Sequence, residues 1–250
     1  MIKKRGYQLH FSRGRDSLRD VAGRFQKSKK ILGVFRDVCP NTQSLNCLDI
    51  GCSTGVLTSF LGDHFSRVLG MDIDQEAIAY AHANPVSPRV QFLIGDSLAL
   101  PFRDHTIDVV VCNHVYEHVP DPKQMMEEIY RVLGGNGLCY FAASNKYMVM
   151  EDDYGLPFLS WLPKPLAHRY LKLARRGDFY YEENLSLWGL KKLVRKFEIH
   201  DYTLSIILDP EKYSATDLIH TGTWWYRLIR WMAPYLYLLI PTYIWVLRKK

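Results

Sequence analysis

One eight-residue segment constrains the fold of this chain more than any other: it covers positions 48–55 and reads LDIGCSTG. A short apolar stretch typical of a buried strand runs directly into a turn with two glycines. Glycine adopts backbone angles that other residues avoid, so Gly51 and Gly55 permit a tight turn. Such turns lie beyond the carboxyl ends of strands in parallel α/β sheets, where nucleotide-like ligands bind. The acid at Asp49 and the lack of a G-x-x-x-x-G-K-[ST] lysine argue against a phosphate ligand and favour one with positive charge and hydroxyl groups.

Strand-like and helix-like stretches alternate after this turn. We predict strands near 46–50, 67–72, 90–94, 107–113 and 137–143, and helices near 55–64, 75–83 and 122–133. The alternation predicts a parallel sheet with helices on both faces. Asp72 ends the second strand about twenty residues after the glycine turn, where such folds hydrogen-bond a ribose.

The chain resembles the class I S-adenosylmethionine-dependent methyltransferases, in the group that acts mostly on small molecules and lipids. The resemblance rests on five pieces within residues 46–145: LDIGCSTG, GMDID, GDSLALPF, FRDHTIDVVVCNHVYEHVPDP and RVLGGNGLCYFAASN. It implies a Rossmann-like α/β fold, with a mostly parallel seven-stranded sheet whose last strand is antiparallel. It also implies S-adenosyl-L-methionine as the methyl donor and S-adenosyl-L-homocysteine as the product.

The glycine turn departs from the family pattern at one position. The usual turn is G-x-G-x-G, and Ser53 stands at the middle glycine. Because serine is small, we expect cofactor binding to survive. A Rossmann-like domain that binds NAD is the alternative, but residues 51–56 do not fit its G-x-G-x-x-G turn.

The resemblance assigns roles to residues at the strand ends. Asp49 and the turn would hold the methionine end of the cofactor, and Asp72 would hold the ribose hydroxyls. Asp96 would accept a hydrogen bond from the adenine amine, with Ser97 beside it, and Ile73 would pack on the adenine face. The predicted cofactor-binding residues are therefore Asp49, Gly51, Cys52, Ser53, Gly55, Asp72, Ile73, Asp96, Ser97 and Asn113.

The segment 113–120, NHVYEHVP, follows the fourth strand and carries the candidate catalytic residues. Relatives that methylate amide or adenine nitrogens carry [DN]-P-P-[YF] here. Asn113 and Tyr116 match its ends, but His114 and Val115 replace both prolines, which argues against those substrates. His114 is a candidate general base for a hydroxyl acceptor, or a cap on the cofactor pocket, and Tyr116 is a second catalytic candidate.

The same segment offers a weak alternative metal site. His114, Glu117 and His118 have the spacing of one helical turn. Some quinone O-methyltransferases resemble this, with carboxylates and a histidine in this turn that bind magnesium. Here His114 replaces the first carboxylate, and magnesium prefers oxygen ligands, so we predict no metal in this turn.

Charge is unevenly distributed: residues 1–36 carry a net +9, residues 37–160 carry −10 and residues 161–250 carry +7, which sums to +6. We expect residues 1–40 to form a basic helical cover on the cofactor cleft, with lipid or nucleic-acid contact as alternatives. The five cysteines form no C-x-x-C pair, which indicates neither zinc nor disulfides. Because no signal peptide is visible, we expect the protein in the cytoplasm, with a peripheral location at the membrane as the alternative.

We expect residues 41–250 to form the methyltransferase domain around a cofactor-binding core at 46–145. An acceptor-side insertion or lid is predicted at 146–196; its aromatic residues would either line a pocket for a flat or apolar acceptor or simply pack the lid. A sixth strand is predicted at 197–208 and the final strand at 242–248. Tryptophans, tyrosines and flanking bases predict that 224–240 is a helix able to contact a membrane surface.

The predicted function is methyl transfer to a small-molecule or lipid-linked acceptor, at oxygen. One alternative is an RNA or protein methyltransferase that uses the basic N-terminal arm. The other is a non-catalytic module that keeps the cofactor pocket.

Overall fold

The structure, a computed structural model, describes residues 6–13, 15–85, 87–151 and 153–250. Within these ranges it contains nine strands: β1 Asn46–Ile50, β2 Arg67–Asp72, β3 Val90–Ile94, β4 Ile107–Asn113, β5 Leu133–Ser144, β6 Met150–Glu151, β7 Leu156–Pro157, β8 Phe197–Asp201 and β9 Thr242–Lys249. The helices are α1 Val21–Val38, α2 Val56–Leu61, α3 Gln75–Ala83, α4 Pro122–Val132, α5 Lys164–Leu173, α6 Leu187–Leu193, α7 Thr203–Leu208 and α8 Trp224–Met232. Short 3-10 turns lie at Asp16–Leu18, Leu159–Trp161 and Tyr237–Leu239.

Seven strands form one sheet in the order β3-β2-β1-β4-β5-β9-β8, while β6 and β7 pair separately. The neighbours from β3 to β5 are parallel, and β9 runs antiparallel between β5 and β8. The predicted fold is therefore confirmed. The strand order reverses between β1 and β4, which is where ligands bind in open α/β sheets.

The sheet is buried on both faces because its central strand β4 carries an unbroken apolar run, Val109 to Cys112. In β4, Val110 and Cys112 join the core on one face, while Val109 and Val111 join the core on the other. Successive side chains of a strand point to opposite faces, so a continuous apolar run needs cover on both sides. α4 supplies that cover on the first face, and α1 and α2 supply it on the second.

Two predictions about the C-terminal part are wrong in detail. The strand predicted at 197–208 ends at Asp201, and α7 follows, because the Asp201 Oδ1 accepts from the Thr203 backbone N–H at 2.8 Å and turns the chain. The helix predicted at 224–240 ends at Met232. Pro234 has no backbone N–H to continue the helical hydrogen bonds, so a 3-10 turn follows instead.

None of the helices in the described ranges combines the length and the apolar composition needed to cross a lipid bilayer.

Candidate active site

A cavity of about 320 Å³ opens at the carboxyl ends of β1, β2 and β4, where the strand order reverses. The strand ends contribute Gly51, Asp72 and Asn113 to its wall. The described N-terminal segment closes the cavity from above with residues between Tyr7 and Lys27. The cavity therefore lies between the sheet edge and the segment that precedes the first strand.

The glycine turn after β1 has the geometry its residues predict. Gly51 and Gly55 have φ angles of +70° and +71°, and Ser53 has a φ of +50°. A Cβ at Gly51 would lie 2.6 Å from the Val115 Cγ2, so a side chain there would collide with the residues after β4. The left-handed backbone at Ser53 explains why glycine suits that position and why serine there carries some strain.

Asp72 both lines the cavity and holds the turn. Its Oδ2 accepts from the Ser53 backbone N–H at 2.8 Å, and its Oδ1 accepts from the Asp74 backbone N–H at 2.9 Å. Burial raises the pKa of Asp72 above its ordinary value, and the two backbone bonds oppose this. The position at the end of β2 agrees with the ribose contact predicted for this acid.

Asp96 forms the far end of the same wall. Its Oδ1 accepts from the Leu98 backbone N–H at 2.8 Å, and its Oδ2 accepts from the Tyr7 hydroxyl at 2.5 Å. That hydrogen bond, more than burial, raises the pKa of Tyr7 to about 12. Ile73 and Ser97 line the cavity beside Asp96.

Seven of the ten predicted cofactor-binding residues line the cavity: Gly51, Ser53, Asp72, Ile73, Asp96, Ser97 and Asn113. The other three, Asp49, Cys52 and Gly55, are not part of its lining. Asp49 is buried and its Oδ2 accepts from the Thr58 hydroxyl at 2.6 Å. Burial raises the pKa of Asp49 to about 7, and Thr58 opposes the rise. These three residues lie behind the lining of the cavity, and the direct cofactor contact of Asp49 stays a prediction.

His114 lies between the two ends of the cavity and is fixed on one side. Its Nδ1 lies 2.9 Å from the Ser144 Oγ and 3.2 Å from the Glu117 Oε1, and the Ser144 hydroxyl donates to the same Glu117 oxygen at 2.6 Å. Although burial alone would raise it, the pKa of Glu117 falls to about 2, because His114, His118 and Ser144 stabilise its charge. An ionised Glu117 places the hydrogen of His114 on Nδ1 and leaves Nε2 as the basic nitrogen.

Tyr116 joins the insertion to the sheet. Its ring is fully buried, and its hydroxyl donates to the Ser144 carbonyl at 2.5 Å and accepts from the Leu185 backbone N–H at 2.9 Å. These contacts give Tyr116 a structural role, and its catalytic role stays a prediction.

The two histidines of the alternative metal turn contact different carboxylates. Among the described residues, the ligand atoms close enough to share an ion come from His118, Asp153 and Glu182, without His114 or Glu117. Glu117 instead holds His114, as described above.

The described part of the basic N-terminal segment is tied to the chain's own acids. Arg15 lies 2.7 Å from the Asp153 Oδ1, Arg13 pairs with Glu76, and the Phe11 ring stands 4.6 Å from the His118 ring. Sequence reasoning predicted a cover but missed these residues. Their partners are 63 to 138 positions away in the chain, and no local pattern encodes such pairs.

Arg24 is a second residue that the sequence did not reveal. It lies on α1, lines the cavity and is half-buried. Burial lowers the pKa of its guanidinium, and the charge of Asp49 acts in the opposite direction. A half-buried cation in the cavity wall is suited to a ligand carboxylate.

Comparison with known proteins agrees with this site. Residues 48–141 match a family model described as a methyltransferase domain. A "probable S-adenosylmethionine-dependent methyltransferase" of Mycolicibacterium smegmatis is 31% identical over 164 residues, which cover 64% of this chain and 63% of that protein. A ubiquinone biosynthesis O-methyltransferase of Coxiella burnetii is 26% identical over 160 residues, which cover 61% and 64%. The chain thus spans less than two thirds of the length of these relatives.

A solved structure supports the fold. The plantazolicin methyltransferase BpumL, in complex with a monoazolic desmethylPZN analog and SAH, superposes with a TM-score of 0.61 at 17% identity, covering 94% of this chain and 87% of that one. The sheet order, the turn and the cavity define a class I methyltransferase fold. The comparisons and the fold support a class I S-adenosylmethionine-dependent methyltransferase domain around the matched residues 48–141, with S-adenosyl-L-methionine as its cofactor.

Proposed function

We propose that this protein transfers the methyl group of S-adenosyl-L-methionine to a hydroxyl of a small-molecule or lipid-linked acceptor. One observation carries the proposal: the same cavity is lined by Gly51, Asp72 and Asp96 and by the His114–Glu117 pair. Methyl transfer needs this adjacency, because donor and acceptor must meet in line.

The cavity residues fit the cofactor. The Ser53 Oγ is buried and has no hydrogen-bond partner among the described residues, and Gly51 lines the cavity without a side chain. Asp72 offers carboxylate oxygens to the ribose hydroxyls, and Arg24 offers its guanidinium to the methionine carboxylate. Tyr7 currently donates to Asp96, so we expect the adenine amine either to share or to replace that bond.

His114 is the proposed general base. The bound cofactor supplies an electrophilic methyl group on a sulfonium. The acceptor hydroxyl gives its proton to the His114 Nε2 while its oxygen bonds to the methyl carbon, and the sulfur keeps the electron pair of the broken bond. The buried charge of Glu117 stabilises the imidazolium that forms.

The sequence leaves two roles open for the aromatic residues of the insertion, and the lining of the cavity favours lid packing over an apolar acceptor pocket. Four residues of the range 146–183 line the cavity, and none of them is aromatic: Met148, Glu151, Asp153 and Glu182. The aromatic residues of the insertion pack among themselves, as Tyr154 does with Tyr180. The acceptor pocket therefore suits a molecule with polar groups next to its reacting hydroxyl.

The first test is transfer of a labelled methyl group into a fractionated extract. We expect the label in the organic or small-molecule fraction, whereas label in RNA or protein would contradict the proposal. His114→Ala should lower turnover by about 10²–10⁴-fold while S-adenosylhomocysteine affinity is unchanged. Equal turnover of variant and wild type would reject the base.

A surface helix supports a lipid-linked acceptor. No residue of α8 is buried, and Trp224, Trp225 and Trp231 are 64%, 56% and 68% exposed. The sequence has no acid after Asp217, whereas bases such as Arg227 and Arg230 lie within the helix. Exposed tryptophans beside bases are typical of a helix that lies in the interface of an anionic membrane.

The segment that follows the surface helix is joined to the cavity wall. The side-chain nitrogen of Asn145 donates to the carbonyls of Leu238 and Ile240 at 2.8 and 2.9 Å, and Asn145 follows Ser144 of the cavity wall. These two carbonyls belong to the 3-10 turn after α8 and the residue behind it, so a short segment separates α8 from the cavity wall.

Vesicle sedimentation tests this contact. We expect binding to phosphatidylserine vesicles, weaker binding to phosphatidylcholine, and loss of binding in Trp225→Glu/Trp231→Glu. Trp188→Glu is the control, because Trp188 is 62% exposed on α6 and outside this surface. Equal sedimentation of the double variant and the control would contradict membrane contact.

A further inference from the structure

Three side chains from separate parts of the chain meet at the acceptor end of the cavity. The His118 Nε2 lies 3.9 Å from the Asp153 Oδ2, and the His118 Nδ1 lies 3.7 Å from the Glu182 Oε1. One possible ligand atom from each residue lies within 4.8 Å of the others, and all three residues line the cavity. An imidazole and two carboxylates thus converge where the proposed function places the acceptor.

Glu182 gives a second, independent indication of a ligand. Its side chain is only 1% exposed, and neither carboxylate oxygen accepts a hydrogen bond of ordinary geometry within the described residues. The buried His118 Nδ1 also has no hydrogen-bond partner there. Leaving buried polar atoms unpaired costs free energy that a bound cation would offset.

Two basic side chains next to the cluster contact other atoms of its residues. Arg15 contacts the Oδ1 of Asp153 and leaves its Oδ2 facing His118. The Lys164 ammonium donates to the backbone carbonyl of Glu182, at 2.5 Å.

We propose that His118, Asp153 and Glu182 bind a divalent first-row metal ion, for which manganese is the probe. Mixed imidazole and carboxylate ligands suit such ions better than magnesium, which prefers oxygen alone. This inference rests on the proposed function, because the ion would bind acceptor oxygens next to the reacting hydroxyl and favour its loss of a proton. The site differs from the turn of His114, Glu117 and His118, since Asp153 and Glu182 come from the insertion.

Manganese binding to the full chain, without cofactor, tests the site. We expect loss of the six-line electron paramagnetic resonance signal of free manganese at one ion per chain, with spin-echo modulation from one imidazole nitrogen. Glu182→Gln should weaken this affinity about tenfold or more, and the exposed neighbour Glu183→Gln should leave it unchanged. Without manganese, Glu182→Gln should unfold at the same temperature as wild type or higher, because it removes an unpaired buried charge.

The outcomes separate the two proposals. If the Glu182 variant does not fold, Asp153→Asn, at a side chain that is 26% exposed, provides the same affinity test. Absence of manganese binding in the wild type, or equal affinity in wild type and the site variants, would overturn the metal site. S-adenosylhomocysteine binding in the same samples tests the proposed function separately, since loss of that binding would reject the proposed function whatever manganese does.

Discussion

Replacement of Glu117 by glutamine tests the electrostatics of the site. Glutamine keeps the shape and removes the charge that holds the His114 Nδ1. The folded pKa of about 2, against an ordinary 4.5, means that the ionised carboxylate stabilises the folded state. This stability is fully present above pH 4.5 and is lost as the pH falls toward 2. The fall in pKa corresponds to about 3 kcal/mol, of which about 2 kcal/mol should be lost between pH 5.5 and pH 3.

The assay is urea unfolding of wild type and Glu117→Gln at pH 5.5 and pH 3. At pH 5.5 we expect the free energy of unfolding of the wild type to exceed that of Glu117→Gln. At pH 3 this difference should be smaller by about 2 kcal/mol. Glu211→Gln, at an exposed carboxylate outside the cavity, is the control and should parallel the wild type. A constant difference between Glu117→Gln and wild type at both pH values would refute the reasoning.

The remaining predictions concern the turn behind the cavity. Asp49 titrates in the opposite sense to Glu117: because its folded pKa is raised to about 7, the wild type loses stability as the pH rises from about 4 through 7. Relative to the wild type, the free energy of unfolding of Asp49→Asn should rise by about 3 kcal/mol from pH 5 to pH 8, as measured by urea unfolding. If the two free energies changed with pH in parallel, the buried, protonated carboxyl would be contradicted. Gly51→Ala should destabilise the fold by about 1–3 kcal/mol, because its φ is +70° and its Cβ would lie 2.6 Å from Val115. Unchanged thermal unfolding of that variant would show that the turn tolerates a side chain.

The sheet could be predicted from the sequence because each strand is specified by residues that are neighbours in the chain. Apolar runs such as Val109-Val110-Val111 define strands that are buried on both faces, and an acid or amide at the strand end marks the cavity edge. The break after Asp201 could not be predicted, since it depends on one side-chain bond to Thr203 within an otherwise strand-like run.

The long-range contacts around the cavity escaped sequence reasoning for a different physical reason. The contact of Tyr7 with Asp96 joins residues 89 positions apart, and Glu182 reaches His118 from the far end of the insertion. Such pairs depend on how the cover and the insertion pack on the sheet. The aromatic composition of the insertion was visible, but only packing shows that its acids face the cavity and its rings do not.

Calorimetric titration with S-adenosylhomocysteine tests the central claim most directly. We expect one site per chain in the wild type and a loss of affinity of about tenfold or more in Asp72→Asn, because a charged hydrogen bond contributes about 1.5–3 kcal/mol. Asp63→Asn, at an exposed acid outside the cavity, should bind as the wild type does. Absence of binding in the wild type, or equal affinity in Asp72→Asn, would contradict the assignment of this cavity to the cofactor.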